Sequence, residues 1–311
     1  MQISIVIPLY HEEVIIDLMA ERLIKVSQPD WEWIFVDDGS QDRTVEKLKP
    51  WLDRLEKWQL IRFSRNFGQQ NAYRAGLDAA KGQAVVFLDA DLQDPPEKII
   101  DLIQAWQGGA KLVVGTRLSR SETGFRGFLF RSFHQIFYRL TDGVMPQNSG
   151  TFGLMDRVIV EELKRMPERS VLFQALRGWV GYKRATVDYH RSERIGGEIK
   201  QSYAKLFTQA WDGITSFSTL PIQWISTLGL LISLFGFLYA GFLLGIKAFQ
   251  FFGKLQSLDV PGFTTVSVAV LCLGGIQLIA IGVIGQYLAR VYHEVKQRPS
   301  YIIESHESRG I

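Results

Sequence analysis

At 311 residues the chain is long enough for one large domain or two smaller ones, and its average of 47% hydrophobic and 22% charged residues hides a division. Up to about residue 219 the composition is that of a charged α/β protein, whereas two long uncharged stretches follow. The single cysteine, Cys272, excludes an intrachain disulfide, and the net charge of +3 gives mild support for docking at anionic lipid.

Strand-like and helix-like patterns alternate along the first part of the chain. Strands are predicted at 4–8, 33–36, 60–63, 84–88 and 112–114, and helices at 12–26, 44–58, 70–80 and 97–107. This order predicts the α/β class, with a mostly parallel sheet and helices on both faces. Because the first strand starts almost at the N-terminus, we expect no signal peptide. Neither a G-x-G-x-x-G motif after the first strand nor a P-loop is present.

Three polar loops follow the first three predicted strands, at 8–13, 36–44 and 64–71. Acids of the second loop can hydrogen-bond a ribose or a base N–H, and the ring of Tyr10 in the first can stack on a base. Taken singly, each loop has a simpler interpretation: Ser40 and Asp42 as helix caps, Gly39 as a turn residue and Arg65 as a solvated charge. Together they are predicted to meet at one edge of the sheet, where such folds bind ligands.

The fourth strand is followed by Asp89-Ala90-Asp91-Leu92-Gln93-Asp94-Pro95-Pro96. Alternation along an extended strand would place Asp89 and Asp91 on the same side, at the edge that the three loops share. Two carboxylates there suit Mg²⁺ or Mn²⁺ held together with substrate phosphates. The competing interpretation is a strand-to-helix turn in which Asp91 or Asp94 caps the helix.

Two segments read as amphipathic helices lying in the lipid headgroup region, at 125–140 and 203–217. For the first, an ordinary core-facing helix is the alternative. Beyond them, Ile222 to Ile246 and Thr264 to Ala289 contain no charged residue, and each is long enough to cross a bilayer. Basic flanks predict that the large domain and the C-terminus both face the cytoplasm. Gly241-x-x-x-Gly245 fits a helix-packing pattern that would allow homo-oligomer contacts.

Ordered motifs along nearly the whole chain resemble the family-two glycosyltransferases of the GT-A fold. They are Ile5 to Glu13, Val36 to Ser40, Arg65 to Gly68, Asp89 to Pro96, Val114 to Arg117, Gly150 to Phe152, and Arg194 to Lys200. The likeness is closer to polyprenyl-phosphate hexose synthases of the dolichol-phosphate mannose synthase type, and the two C-terminal spans are similar to the bactoprenol glucosyltransferase branch. Departures are His11, where the family usually has Asn, and Thr151 and Gly153, where many relatives have Asp or Ser, and Arg. The resemblance therefore assigns no acceptor role to 150–156, including Asp156.

The resemblance implies site roles. Nucleoside binding falls to Pro8, Tyr10, Glu12 and Asp38, with Asp37 and Arg65 in the same loops; Asp89, Asp91 and Gln93 bind the metal and, through it, the diphosphate; Arg117, Arg131, Arg194 and Lys200 take the phosphates of donor and lipid. The implied organisation is a cytoplasmic GT-A catalytic domain at 1–200, a juxtamembrane helix at 201–220, transmembrane helices at 221–247 and 264–290, and a cytoplasmic tail at 291–311.

The reaction implied is inverting transfer of a hexose, with glucose from UDP-glucose preferred, to polyprenyl (undecaprenyl) phosphate at the cytoplasmic face of the plasma membrane. The partners are therefore a nucleotide sugar, a lipid phosphate and the membrane, with no nucleic acid. A GDP-mannose-using enzyme is the nearest alternative. A processive polysaccharide synthase is disfavoured because Gln174 to Trp179 has one residue too many for the Q-x-x-R-W motif. Uncharged spans disfavour a lipid flippase, and a non-catalytic scaffold that binds nucleotide is the remaining alternative.

Overall fold

Alternating strands and helices form the first part of the chain, as the hydrophobic pattern predicts. The computed structural model describes residues 2–118, 149–166, 173–190, 220–251 and 262–310. The strands are β1 (Ile3–Leu9), β2 (Trp31–Asp37), β3 (Lys57–Phe63), β4 (Ala84–Phe87), β5 (Leu112–Arg117), β6 (Ser149–Asp156), β7 (Arg184–Tyr189) and β8 (Ile303–Arg309). The helices are α1 (Ile16–Val26), α2 (Thr44–Leu52), α3 (Gln69–Ala79), α4 (Ile99–Gln107), α5 (Arg157–Arg165), α6 (Phe173–Trp179), α7 (Leu220–Phe251) and α8 (Gly262–Val295).

All eight strands belong to one sheet, in the order β7-β5-β6-β4-β1-β2-β3-β8. Strands β3, β2, β1 and β4 run parallel to one another, and β5 and β7 form a further parallel pair. Antiparallel β6 is inserted between β4 and β5, and antiparallel β8 extends the other edge beside β3. The predicted α/β class with a mostly parallel sheet is thus confirmed.

Helices cover both faces of this sheet. Alternate residues of β1, such as Ile5 and Ile7, join a core with Ile16 of α1, Leu48 of α2 and Leu102 of α4. The other face of β1 carries Val6, which packs against α3 at Gly76. A Cβ at Gly76 would lie 2.1 Å from Val6 Cγ1, so α3 can approach the sheet this closely only because that residue is glycine.

Several predicted boundaries were wrong. The helix predicted at 44–58 ends at Leu52, because Lys57 and Trp58 already belong to β3. The strand predicted at 84–88 ends at Phe87, so Asp89 and Asp91 lie in the turn beyond it and the alternation argument does not apply to them. The segment predicted as a tail at 291–311 contains the end of α8 and the whole of β8.

The chain divides into two compact units, one formed by Met1–Ile214 with Arg298–Ile311 and the other by Thr215–Gln297. The second unit contains α7 and α8, which enclose both predicted spans. By length and composition, both helices qualify as candidate membrane spans. The predicted interfacial helices at 125–140 and 203–217 lie outside the described residues.

Candidate active site

The turn after β4 brings three acids together. Oδ1 of Asp91 accepts a hydrogen bond from the backbone N–H of Gln93 at 3.1 Å. The intervening Leu92 is buried and has a left-handed backbone with φ of +56°. This conformation is strained for a branched residue, and such strain is concentrated at functional sites. Neither Asp91 nor Asp94 caps the helix that follows, because that helical segment begins at Pro96 without a side-chain cap.

Asp89 is held by side chains from two other elements. The Tyr73 hydroxyl of α3 donates to Oδ1, and Gln69 Nε2 donates to the same oxygen at 3.1 Å. Thr151 of β6 places its hydroxyl 3.4 Å from Oδ2. Burial raises the pKa of Asp89 to about 6, the hydrogen bond from Tyr73 opposes that rise, and the negative charges of Asp94 and Asp91 add to it. The three carboxylates are therefore close enough to interact.

Arg117 lies at the end of β5, beside the same acids. Its Nε donates to the hydroxyl of Tyr189 at 3.1 Å, and Nη2 lies 3.9 Å from Oδ1 of the buried Asp94, to which Tyr189 itself donates. Burial disfavours the charge, but the Tyr189 hydrogen bond and the acids leave the pKa of Arg117 above its ordinary value. A Cβ at Gly150 would lie 2.5 Å from Nη2, so any larger residue there would displace this guanidinium from its present position.

A second arginine, Arg177 of α6, is buried under the site. Its Nη1 donates to the carbonyl of Thr151 at 2.7 Å, and Nη2 donates to the carbonyl of Gly150. Burial lowers the pKa of Arg177 to about 10. These contacts fix the part of β6 that supports Asp89 and Arg117, and they place a cation behind the acid cluster.

The second predicted loop is tied to the third. Asp37 has no exposed surface, accepts from the Ser40 amide and lies 3.3 Å from Arg62 Nε. Asp38 accepts from the amides of Phe67 at 2.6 Å and Gly68 at 2.9 Å. Burial raises the pKa of both acids. The two carboxylates are therefore turned into the protein, where they hold the loops.

The first and third loops present the exposed groups of the rim. Tyr10 has 43% of its surface exposed, and the amide of Glu12 donates to Thr44 Oγ1 at 2.8 Å. Pro8 is buried within β1. Arg65 is exposed, with its guanidinium carbon 4.3 Å from the centre of the Phe67 ring.

The structure thus places Tyr10, Glu12, Arg65, Asp89, Asp91, Gln93 and Arg117 at the carboxyl ends of the parallel strands. Pro8, Asp37 and Asp38 are buried just behind them. Arg131, Arg194 and Lys200 lie outside the described residues. Asp156 is at the opposite edge: it pairs with Ala84 at the start of β4, caps α5, and accepts from Trp106 and Lys111.

The acids fit a hard cation that completes its coordination with substrate phosphates. Within the described ranges no three His, Cys, Asp or Glu side chains form a group that could hold a metal by protein ligands alone. Asp91 uses only one carboxylate oxygen for its hydrogen bond to Gln93, and the strained turn fixes the position of that carboxylate. Carboxylate oxygens are the ligands that Mg²⁺ and Mn²⁺ prefer, and one or two of them suffice when a diphosphate supplies the rest.

Comparison with known proteins identifies the family. The model of glycosyl transferase family 2 matches residues 4–164, which include every loop described above. The chain belongs to glycosyl transferase family 2. This family-2 chain is therefore a glycosyltransferase.

Its relatives align along almost its whole length. It is 43% identical to an uncharacterized glycosyltransferase of Synechocystis over 97% of this chain and 94% of that protein. It is 39% identical to the SfII prophage-derived bactoprenol glucosyl transferase of Shigella flexneri, with 98% of each chain covered. Among solved structures, glucosyl-3-phosphoglycerate synthase from Mycobacterium tuberculosis, in complex with Mn²⁺, UDP and phosphoglyceric acid, superimposes with a TM-score of 0.50 at 16% identity, covering 69% of this chain and 76% of that one. That likeness concerns the fold.

Sequence reasoning missed the side chains that support the acids. Tyr189 ends β7, whose period-2 alternation of Ala185, Val187 and Tyr189 with polar residues is a strand signal that was not used. Tyr73 lies four residues after Gln69 on α3. The sequence places Tyr73 inside the helix predicted at 70–80 and Gln69 in the loop predicted at 64–71, and neither pattern indicates which face of the helix points to the acids. Arg177 was considered only as part of an imperfect Q-x-x-R-W motif.

Proposed function

We propose that the chain transfers glucose from UDP-glucose to a polyprenyl phosphate, with inversion, at the cytoplasmic face of the plasma membrane. The observation that carries the proposal is the gathering of Asp89, Asp91 and Arg117 at the rim where Tyr10 is exposed. This arrangement offers a stacking surface for a base, acids for a metal-bound diphosphate and a cation for phosphate oxygens. The bactoprenol glucosyl transferases named among the relatives support a lipid phosphate as acceptor and glucose as the sugar.

In the proposed single-displacement reaction, different residues have different roles. The acceptor phosphate oxygen forms a bond to the anomeric carbon as the bond from that carbon to the donor diphosphate breaks. Asp89, Asp91 and Gln93 would hold Mg²⁺ or Mn²⁺, which supplies Lewis-acid neutralisation of the leaving nucleoside diphosphate. Arg117 is oriented by Tyr189 and Asp94, so its positive charge is in place before the reaction.

No general base is required by this chemistry. A phosphate monoester has a second pKa of about 6 and is largely dianionic at neutral pH, so its oxygen needs no deprotonation. A sugar hydroxyl acceptor would instead need a base to remove its proton. Asp156 lies at the opposite edge of the sheet, where it accepts hydrogen bonds from Trp106, Lys111 and the amide of Val158.

The last part of the proposal concerns attachment of the chain to the membrane. Candidate spans α7 and α8 would hold the catalytic unit next to the bilayer, with 201–220 at the interface and Arg131, Arg194 and Lys200 contributing to the lipid phosphate site. A polyprenyl tail would remain in the bilayer while its phosphate lies at headgroup depth. The basic flanks of the spans support a cytoplasmic location for the catalytic unit.

The test compares two acid-to-amide variants, Asp91→Asn and Asp156→Asn, in the full-length chain. Purified protein is incubated with radiolabelled UDP-glucose, polyprenyl phosphate and Mn²⁺, and label is measured in the organic phase. We expect at least a hundredfold loss for Asp91→Asn, roughly the scale of losing an important electrostatic contact in catalysis. Asp156→Asn should keep most of its activity, because that acid is remote from the rim.

Other outcomes decide against parts of the proposal. Near-normal transfer by Asp91→Asn would remove that residue from the metal site. Label from GDP-mannose but not UDP-glucose would change the donor, and label in an insoluble polymer would indicate a processive synthase.

A further inference from the structure

His11 forms the layer beneath the exposed tyrosine of the rim. The rings of Tyr10 and His11 are stacked, with centroids 4.1 Å apart and planes inclined by only 17°. One face of Tyr10 is therefore covered, which agrees with its exposed fraction of 43%. The ring therefore keeps exposed surface that His11 does not cover.

The position of His11 is fixed by three features that are independent of the stacking. Its backbone is left-handed, with φ of +56°. Its amide donates to Ser40 Oγ at 3.0 Å, and its Nε2 accepts from the amide of Gln41 at 3.2 Å. In this arrangement Nε2 acts as a hydrogen-bond acceptor, so the imidazole is held by the second loop.

These contacts connect the buried acid of the second loop to the first loop. Asp37 fixes the amide of Ser40, the hydroxyl of Ser40 fixes the amide of His11, and the His11 ring lies against Tyr10. Arg62 lies beside Asp37 and donates to the carbonyl of Ser40 at 3.1 Å. The fully buried Asp37 is thus connected to the exposed Tyr10 ring through Ser40 and His11.

We propose that His11 is a positioning residue, which holds the Tyr10 ring so that its exposed surface receives the nucleobase of the donor. The inference rests on the proposed use of a nucleotide sugar and adds a residue to that site. A tyrosine at a loop tip rotates about two side-chain torsions, so an unsupported ring must be ordered when the ligand binds. The imidazole beneath it supplies that order in advance.

The structure offers a substitution that isolates the ring. Asparagine tolerates the left-handed backbone better than most residues, so His11→Asn removes the imidazole without forcing the loop to change. His11→Phe keeps a flat ring but lacks the acceptor for the Gln41 amide. Gln41→Ala is the matched control, because the backbone N–H that contacts His11 remains and the Gln41 side chain is exposed.

Binding of UDP and of inorganic diphosphate, each with Mn²⁺, is measured by calorimetry on the full-length chain. Diphosphate has no base, so it reports the acid site alone. Because an aromatic pair contributes about 0.5–1.5 kcal/mol, we expect His11→Asn to weaken UDP binding by about 2- to 12-fold while diphosphate affinity is unchanged. His11→Phe should lose less than His11→Asn, and Gln41→Ala should match the parent. In turnover, the loss should appear in KM with kcat retained.

A Tyr10→Ala variant distinguishes failure of the His11 proposal from failure of the proposed nucleoside site. If Tyr10→Ala weakens UDP binding and His11→Asn does not, the positioning role of His11 is overturned while the proposed nucleoside site stands. If neither variant changes UDP affinity, the proposed nucleoside site itself is wrong. Equal losses for UDP and diphosphate in His11→Asn would show general loop damage and would also overturn the inference.

Discussion

Asp89 shows how individual side chains set the properties of the site. Its carboxylate is half-buried among two other acids, an arrangement that opposes ionisation. The Tyr73 hydroxyl, which is completely buried and packed among Phe87 and Phe173, donates to this carboxylate and stabilises its charged form. In the proposed site a metal would bind the ionised carboxylate, so Tyr73 should set the pH at which Asp89 can bind it.

Tyr73→Phe should therefore shift the pH dependence of Mn²⁺ binding to higher pH. In the parent, Mn²⁺ affinity measured with UDP should fall as the pH drops through about 6, where Asp89 takes up a proton. Removing the hydroxyl raises the pKa of Asp89 further, so the fall should begin at a higher pH, by about one unit for a charged hydrogen bond. Tyr182→Phe, near the sheet's outer edge, should leave the curve unchanged. Coincident curves for the parent and Tyr73→Phe would contradict the role of Tyr73.

At the scale of elements, the sequence identified the strands with strong local patterns and missed those that depend on distant partners. The predicted parts of β1, β2, β4 and β5 are largely apolar runs that are buried on both faces, a signal local to each segment. In contrast, β8 reads Ile-Glu-Ser-His-Glu-Ser-Arg and is exposed throughout. It is a strand because β3 offers it an edge, which no local pattern records.

The same contrast applies to the candidate site. The D-x-D turn and the three loops could be located because each directly follows a recognisable strand. The supporting contacts could not, because Tyr73, Thr151 and Tyr189 come from elements separated by 16 to 95 residues from the acids they contact. The buried orientation of Asp37 and Asp38 also depends on tertiary contacts, because the groups that hold these acids include a side chain of β3 and backbone amides of the third loop.

Strand β8 stabilises the end of β3 that carries the third loop. The Ser64 amide donates to the carbonyl of Ile302 at 3.0 Å, and the ring of Tyr301 stacks on Phe63 with centroids 5.0 Å apart. The Tyr301 hydroxyl donates to Asp78 of α3 at 2.9 Å. The beginning of β8 and the residues just before it thus contact the chain at Phe63 and Ser64, where the 64–71 loop begins. Asp38 holds the same loop through the amides of Phe67 and Gly68.

We expect Tyr301→Ala to loosen this edge. Loss of a half-buried aromatic ring should reduce the free energy of unfolding of the catalytic unit by about 1–3 kcal/mol and accelerate amide exchange across 57–64. Glu307→Ala is the control, because its exposed ion pair with Lys49 should contribute less than about 1 kcal/mol. Hydrogen-exchange mass spectrometry on the full-length chain compares the two variants. Unchanged exchange in Tyr301→Ala would show that β8 does not support β3.

At the scale of the whole molecule, the pairing of β8 with β3 constrains the membrane topology. Helix α7 has 32 residues and α8 has 34, so at 1.5 Å per residue they are about 48 and 51 Å long, more than the roughly 30 Å of a bilayer core. Strand β8 follows both helices yet belongs to the catalytic unit. If α7 and α8 cross a membrane as proposed, the chain crosses it an even number of times between that unit's two parts, which two spans satisfy.

Cysteine labelling tests this constraint and the proposed orientation separately. With Cys272 replaced by serine the chain has no other cysteine, so single positions can be introduced: Glu21→Cys on α1, Ser308→Cys on β8, and Gln256→Cys between the two spans. Because β8 is part of the same sheet as the strands near α1, Glu21→Cys and Ser308→Cys must react from the same side. In intact cells treated with a membrane-impermeant maleimide, we expect only Gln256→Cys to react, since the basic flanks favour the cytoplasm for the other two. Reaction of Glu21→Cys and Ser308→Cys from outside would reverse the orientation but preserve the even number of crossings. Reaction of those two from opposite sides would be incompatible with β8 pairing to β3 within one chain.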